Sequence, residues 1–238
     1  MKTGITINGQ SVHIPSTWDD VTFSQFLQMK DCKDDSVLLS VLTGIDVELC
    51  KQIKPNILEA ILSPVANIGE VEMLDDVQIL GKPVPSKVGS MEFARKVNCD
   101  ALSRNYQDEE MIGRMVAIYC AHGIEDEDIE AMYQLVLGES FTCVVSAGRL
   151  ISNQLIEMQK VEEKIKKPEY ENEEWQAGID DFKKYGVAGL VRGIALRHHC
   201  TKEDVFRWSY NSVLLELMQA ADENAYQRKL NKILNHKK

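Results

Sequence analysis

The sequence predicts a mainly α protein of the α+β class: an N-terminal β-hairpin or small sheet with short helices, a long central helix and a C-terminal helical unit. Three observations predict it. Apolar and polar residues alternate on both sides of Asn8-Gly9, apolar residues recur at helical spacing along most of the remaining chain, and a charged run closed by Pro168 is followed by a drop in apolar density. The expected domains are residues 1–167, a mixed α/β body with a helical second half, and residues 168–238, a helical unit.

Each element has a local cause. Ile5-Thr6-Ile7 and Val12-His13-Ile14 form the hairpin because Asn-Gly readily takes the positive φ of a type I′ turn. Pro15 has no N–H to donate and ends the second strand. Thr22 is a suitable N-cap for a helix whose neighbours Val21, Phe23, Phe26 and Leu27 face a core. Residues 37–42 give a short helix stopped by Thr43-Gly44, and residues 57–62 another that stops before Pro64. Between residues 71 and 88, Val71, Met73, Val77 and Ile79 alternate with polar residues among Gly81, Pro83, Pro85 and Gly89. That pattern predicts short strands or extended loops able to pair with the N-terminal hairpin.

Ser90 caps the next helix, carrying Met91, Phe93, Ala94 and Val97. Asp108-Glu109-Glu110 is an acidic first turn of the kind the helix dipole favours; it leads into Met111, Met115, Ile118 and Tyr119, and Gly123 ends the helix. Ser140 opens the most regular stretch, a long helix from Val144 to Ile165 packed on one side. Residues 175–185 and 187–199 predict two helices of the C-terminal unit. Thr201 with Asp204 makes a capping box with Asp in place of Glu, and Ser209 caps a last long helix. Its apolar positions Val213, Leu214, Leu217, Met218 and Ala221 continue to Tyr226, Leu230 and Ile233. No internal repeat is found.

The composition is that of an ordinary folded protein. Its 238 residues are 44% hydrophobic and 27% charged, with a formal net charge of −10. That charge is an average: residues 1–185 carry −14 and residues 186–238 carry +4. The acidic body repels phosphate, so no nucleic-acid partner is expected. No apolar run approaches the roughly 20 residues a membrane helix needs, and the start turns polar too soon for a signal peptide, so no membrane partner and a cytoplasmic location are expected. The six cysteines are scattered without a C-x-x-C pair and read as reduced, mostly buried thiols.

No catalytic constellation emerges, and neither enzyme activity nor a cofactor is expected. His198-His199-Cys200 offers three zinc-binding atoms, yet adjacent helical residues diverge by about 100° and cannot converge on one tetrahedral ion. Glu125-Asp126-Glu127-Asp128 lacks the spacing of a calcium loop and reads as a helix N-terminus. Residues 186–193 contain glycines but no phosphate-binding spacing, and the glycines are expected to permit close helix contact. Gly138-Glu139-Ser140-Phe141-Thr142 fails the nucleophile-elbow pattern at its last position. A hydrolase using scattered carboxylates and a metal is the enzyme alternative, and no carboxylate pair or triplet has ligand spacing for it.

What remains is an adhesive segment. Trp208, Tyr210, Leu214, Leu215, Leu217 and Met218 cover more than one helix face. Either both faces are buried within this chain or one is offered to a partner, and methionine with aromatics suits adaptable binding grooves. The partner-binding candidates are Trp208, Tyr210, Leu214, Leu217 and Met218.

Two patches carry a resemblance. Ile5-x-Ile7-Asn8-Gly9, His13-Ile14-Pro15-x-x-Trp18-x-x-Val21-Thr22-x-x-Gln25-Phe26 and Leu38-Leu39-Ser40-x-Leu42-Thr43-Gly44-Ile45 resemble the opening of tail-region proteins of tailed bacteriophages. Thr201-x-x-Asp204-Val205-x-x-Trp208-Ser209-Tyr210-x-x-Val213-Leu214-x-Glu216-Leu217, with Glu223-Asn224-x-Tyr226-Gln227, is similar to the C-terminal helices of phage tail assembly chaperones. Together the patches cover about a third of the chain.

The resemblance implies a non-enzymatic protein of the host cytoplasm that binds the hydrophobic helices of a tape measure protein during tail morphogenesis and leaves as the tube polymerises. It also implies a longer form made by frameshifting, with which Lys166-Lys167, as an A-rich codon pair, is compatible. The partner implied is thus a long helical protein, with homo-oligomerisation open. The alternative is a virion structural component, a head–tail connector or internal packaged protein.

Overall fold

The computed structural model describes residues 3–7, 9–84, 91–105, 108–123, 125–165, 176, 181 and 184–235. The chain is mainly helical, with two small antiparallel sheets of two strands each among the described residues. It divides into two compact units, Met1–Pro85 with Cys99–Ser152, and Ser86–Asn98 with Asn153–Lys238. The sequence-expected boundary after residue 167, Pro168 included, lies outside the described residues, as do Asn8, Ser90 and most of the helix expected at residues 175–185.

In unit 1, β1 (Thr3–Ile7) and β2 (Gln10–Ile14) pair in a register that leaves a two-residue connection, and Gly9 there takes φ +83°. Ile7 and Ile14 are buried with Leu39 and Leu42 of α2 (Asp35–Thr43), Cys50 of α3 (Val47–Cys50), and Leu58 and Leu62 of α4 (Pro55–Ala66). Gly44 closes α2 at φ +72°, its N–H donating to the Ser40 carbonyl.

Helix α4 does not stop before Pro64 but runs through it. Pro64 sits in the last turn: it forgoes the one bond its N–H would give the Ala60 carbonyl, and only Val65 and Ala66 follow it in the helix. Asn67 then caps the end, its Nδ2 donating to the Ser63 carbonyl at 2.7 Å.

Residues 71–84 do not join the N-terminal hairpin. They make their own, β3 (Gln78–Ile79) with β4 (Lys82–Pro83), turned by Leu80 at φ +50° and Gly81 at φ +72°. The stretch before it is held instead by α8 (Phe141–Glu162). The buried Ser146 hydroxyl accepts from the Leu74 N–H at 3.0 Å, and Arg149 donates to the Leu74 carbonyl at 3.0 Å.

Thr22 caps α1 (Phe23–Met29) through a reciprocal capping box with Gln25. Helices α6 (Glu109–Cys120) and α7 (Asp126–Val136) follow α5 (Phe93–Asn105). α6 is capped by Asp108 and ends at Cys120, three residues before Gly123. Gly113 of α6 is a close-approach position: a Cβ there would strike the Phe23 ring and lie 3.0 Å from Tyr133 Cε2 of α7.

Unit 2 adds α9 (Gly186–His198), α10 (Lys202–Arg207) and α11 (Tyr210–Asn235). α10 carries the expected Thr201–Asp204 capping box, and Ser209 Oγ accepts from the Ser212 N–H at the start of α11. The α9 glycines do not serve close helix contact. A Cβ at Gly193 meets nothing within 4 Å, and one at Gly189 meets only Tyr185 of the adjoining turn.

The two units repeat one arrangement, a feature missing from the sequence reading. In unit 1, Thr22 and Ser140 form an isolated antiparallel bridge: Phe23 N–H donates to the Glu139 carbonyl at 2.9 Å and Phe141 N–H to Val21 at 2.8 Å. In unit 2, Glu92 and Ser209 form the same bridge: Phe93 N–H donates to Trp208 and Tyr210 N–H to Met91, both at 2.8 Å.

Each bridge joins the first turns of two helices, and each helix begins with a buried aromatic. Phe23 and Phe141 stack at 6.4 Å, and Phe93 and Tyr210 at 6.5 Å. The later helix follows a helix pair in both cases, α6–α7 and then α9–α10. In sequence the repeat survives as Thr22-Phe23 against Glu92-Phe93, 70 residues apart, and as Ser140-Phe141-x-x-Val144-Val145 against Ser209-Tyr210-x-x-Val213-Leu214, 69 apart. The offset is nearly constant, but the matched stretches are too short to stand out as a repeat.

Candidate partner-binding surface

The candidate segment starts from the aromatic bridge of unit 2. Tyr210, 1% exposed, occupies the first turn of α11, where its ring stacks with Phe93 and lies under Lys96, whose Nζ is 5.5 Å from the ring centre. Its hydroxyl donates to the Glu162 carboxylate, which also pairs with Lys96 at 2.9 Å. Val213 and Leu214 continue the buried face one turn on, and Val191, Ile194 and Val205 of α9 and α10 are buried as well. Tyr210 and Leu214 are therefore core residues that offer a partner no surface.

Trp208 and Leu217 are half-buried. The Trp208 carbonyl belongs to the bridge, and its indole meets the His198 ring edge to face at 5.0 Å. His198 in turn lies 3.0 Å from Glu216, which also accepts from Arg197 at 3.1 Å. The hydrogen bond from His198, helped by the His198 and Arg197 charges, holds the Glu216 carboxyl below the usual glutamate range. These side chains tie α9 to α11.

Met218 alone among the five candidates is exposed, at 43%, and it belongs to a face that the candidate set omits. Leu215 is 65% exposed, Tyr226 62% and Ile233 55%, so Tyr226 and Ile233 do not continue the core stripe of α11 as the spacing suggested. Positions 215, 218, 222, 226, 229 and 233 follow the 3.6-residue period on the side opposite Tyr210, Val213 and Leu217. The signal was present in the sequence as a second apolar stripe. It was hidden because the two stripes together make the helix look apolar nearly all round near residue 215. Most of the exposed large apolar side chains among the described residues fall in unit 2, Leu196 of α9 among them at 65%.

Charge along α11 is ordered. Its acidic residues Glu216, Asp222 and Glu223 all precede its basic residues Arg228, Lys229 and Lys232.

Elsewhere, an open depression in unit 1 is lined by His13, Ile14, Pro15, Asp20 and Leu42. Its Asp20 carboxylate is engaged in turn formation, accepting from Ser16 and Thr17. Among the described residues no group of three or more His, Cys, Asp or Glu is placed to hold a metal ion. His199 is the left-handed C-cap of α9 at φ 53°, beside His198 in its Glu216 pair. No described helix is long and apolar enough to cross a membrane.

Comparison with protein-family models, curated proteins and solved structures finds no match.

Proposed function

We propose that this chain is a non-enzymatic binding protein of the tail-assembly-chaperone kind, which holds apolar helices of a long tape measure protein in the host cytoplasm during phage tail morphogenesis. The observation that carries the reading is the outward stripe of α11, Leu215, Met218, Tyr226 and Ile233, exposed on a helix whose opposite face is already packed. An exposed apolar stripe at helical spacing fits the apolar face of a second helix, the helix-in-groove mode of recognition. Net acidity of the chain opposes aggregation of the bound client.

The test is co-expression of the full chain with a tape measure protein of a long-tailed phage. The reading expects the client to remain soluble and to co-purify. A client that precipitates with or without this chain contradicts the reading, as does recovery of the chain at fixed copy number from purified particles by mass spectrometry.

A further inference from the structure

The outward stripe of α11 holds two charged residues among its apolar ones, and their order identifies an occupant. Asp222 and Lys229, both exposed, lie on the stripe two turns apart, bracketed by Met218 before and Ile233 after. Reading the stripe forward gives Met218, Asp222, Tyr226, Lys229, Ile233. Reading it backward gives the same sequence of characters with the charges exchanged. An antiparallel copy of the helix, crossing at Ala225–Tyr226, therefore sets Met218 against Ile233 and Asp222 against Lys229, twice over by symmetry. A parallel copy sets acid on acid and base on base along the helix, because all its acidic residues precede its basic ones. We propose that α11 pairs antiparallel with α11 of a second copy of this chain, the Asp222–Lys229 pairs fixing direction and register and the apolar residues supplying the attraction.

The proposal rests on charge order and exposure and does not need the client reading. If both hold, a client helix competes with the second copy for one face. A single ion pair at an exposed site is weak, so the charges choose the arrangement more than they strengthen it.

The test is sedimentation velocity of the purified full chain across the micromolar range, without any client. The expected result is a concentration-dependent dimer. Reversal of one charge, Asp222→Lys or Lys229→Asp, converts two attractions into two repulsions and weakens the dimer by roughly tenfold. The double variant Asp222→Lys/Lys229→Asp restores it. Tyr226→Asp yields monomer, with helical circular dichroism unchanged because the side chain lies outside the core. A chain that stays monomeric throughout the range overturns the proposal. So does a dimer indifferent to the single reversals, or a double reversal that fails to restore pairing. Client solubility is measured separately, so a monomeric chain that still keeps its client soluble overturns the pairing alone.

Discussion

Glycine 113 and glycine 193 are both helical, yet their surroundings give them opposite roles. A methyl group at Gly113 meets two aromatic rings, Phe23 and Tyr133, in the core of unit 1. Overpacking there costs about 1–3 kcal/mol, which exceeds the roughly 1 kcal/mol that alanine's helix propensity returns. At Gly193 nothing lies within 4 Å of the added carbon, so only the propensity acts. Urea unfolding of Gly113→Ala is expected to show a lower midpoint than the parent chain, and that of Gly193→Ala a higher one. The reverse order contradicts the packing described. Neither outcome was legible in the sequence, where the glycines of residues 186–193 looked like the close-contact ones and Gly113 stood unremarked, because a glycine's neighbours come from other helices.

Glu216 gives a second prediction at this scale. Its carboxyl is held below its ordinary value in the folded chain, so its contribution is present above the usual glutamate pKa of 4.5 and is lost as pH falls through that value towards the folded one. Glu109 beside Lys30 and Glu130 beside Gln134 and Arg114 are depressed in the same direction, so the whole chain is expected to lose stability on acidification. Thermal midpoints followed from pH 7 to about pH 3 should fall more steeply for the parent chain than for Glu216→Gln, which has no such proton to bind. Parallel curves would remove the His198–Glu216–Arg197 tie from the account.

Local chemistry was enough to locate most elements. Caps at Thr22, Thr201 and Ser209 and the stop at Gly44 act within one turn and stand where their sequence signatures placed them, while Asp108, expected inside the first turn, and Ser140, expected to open its helix, are caps as well. Pro64 was misjudged because a proline in a last turn breaks few bonds, and residues 78–83 were assigned a distant partner when the Leu80-Gly81 turn already gives them a near one. On α11 the inner stripe was read correctly at Val213 and Leu214 and then extended to Tyr226 and Ile233, which lie on the other face. Of the five binding candidates, Tyr210 was legible as apolar but not as core, since its burial depends on Phe93 and Glu162, far away in sequence.

The whole molecule uses one joint twice. An antiparallel bridge between the first turns of two helices, with an aromatic from each stacked beneath it, appears in unit 1 and again in unit 2. In unit 1 the helix that follows the bridge, α8, turns Val144, Ala147 and Ile151 into the core and uses Ser146 and Arg149 to hold residues 74 and 75. In unit 2 the corresponding helix, α11, has a packed inner face and an apolar outer face. That difference is the physical reason to place binding in unit 2. Truncating the aromatics at the joints, Phe141→Ala or Tyr210→Ala, is expected to cost about 3–5 kcal/mol each, against little for Tyr226→Ala, whose ring is already in solvent. Chemical denaturation of the three variants checks the ranking.

The central claim, that the outward face of α11 receives an apolar helix, is tested most directly by co-expressing a phage tape measure protein as client with the parent chain and with Met218→Lys/Tyr226→Lys. Both changes lie on the solvent side and leave the Tyr210 joint intact. The account predicts that the client is soluble and co-purifies with the parent chain and is lost to the pellet with the variant. Equal recovery of soluble client with the two chains would contradict it.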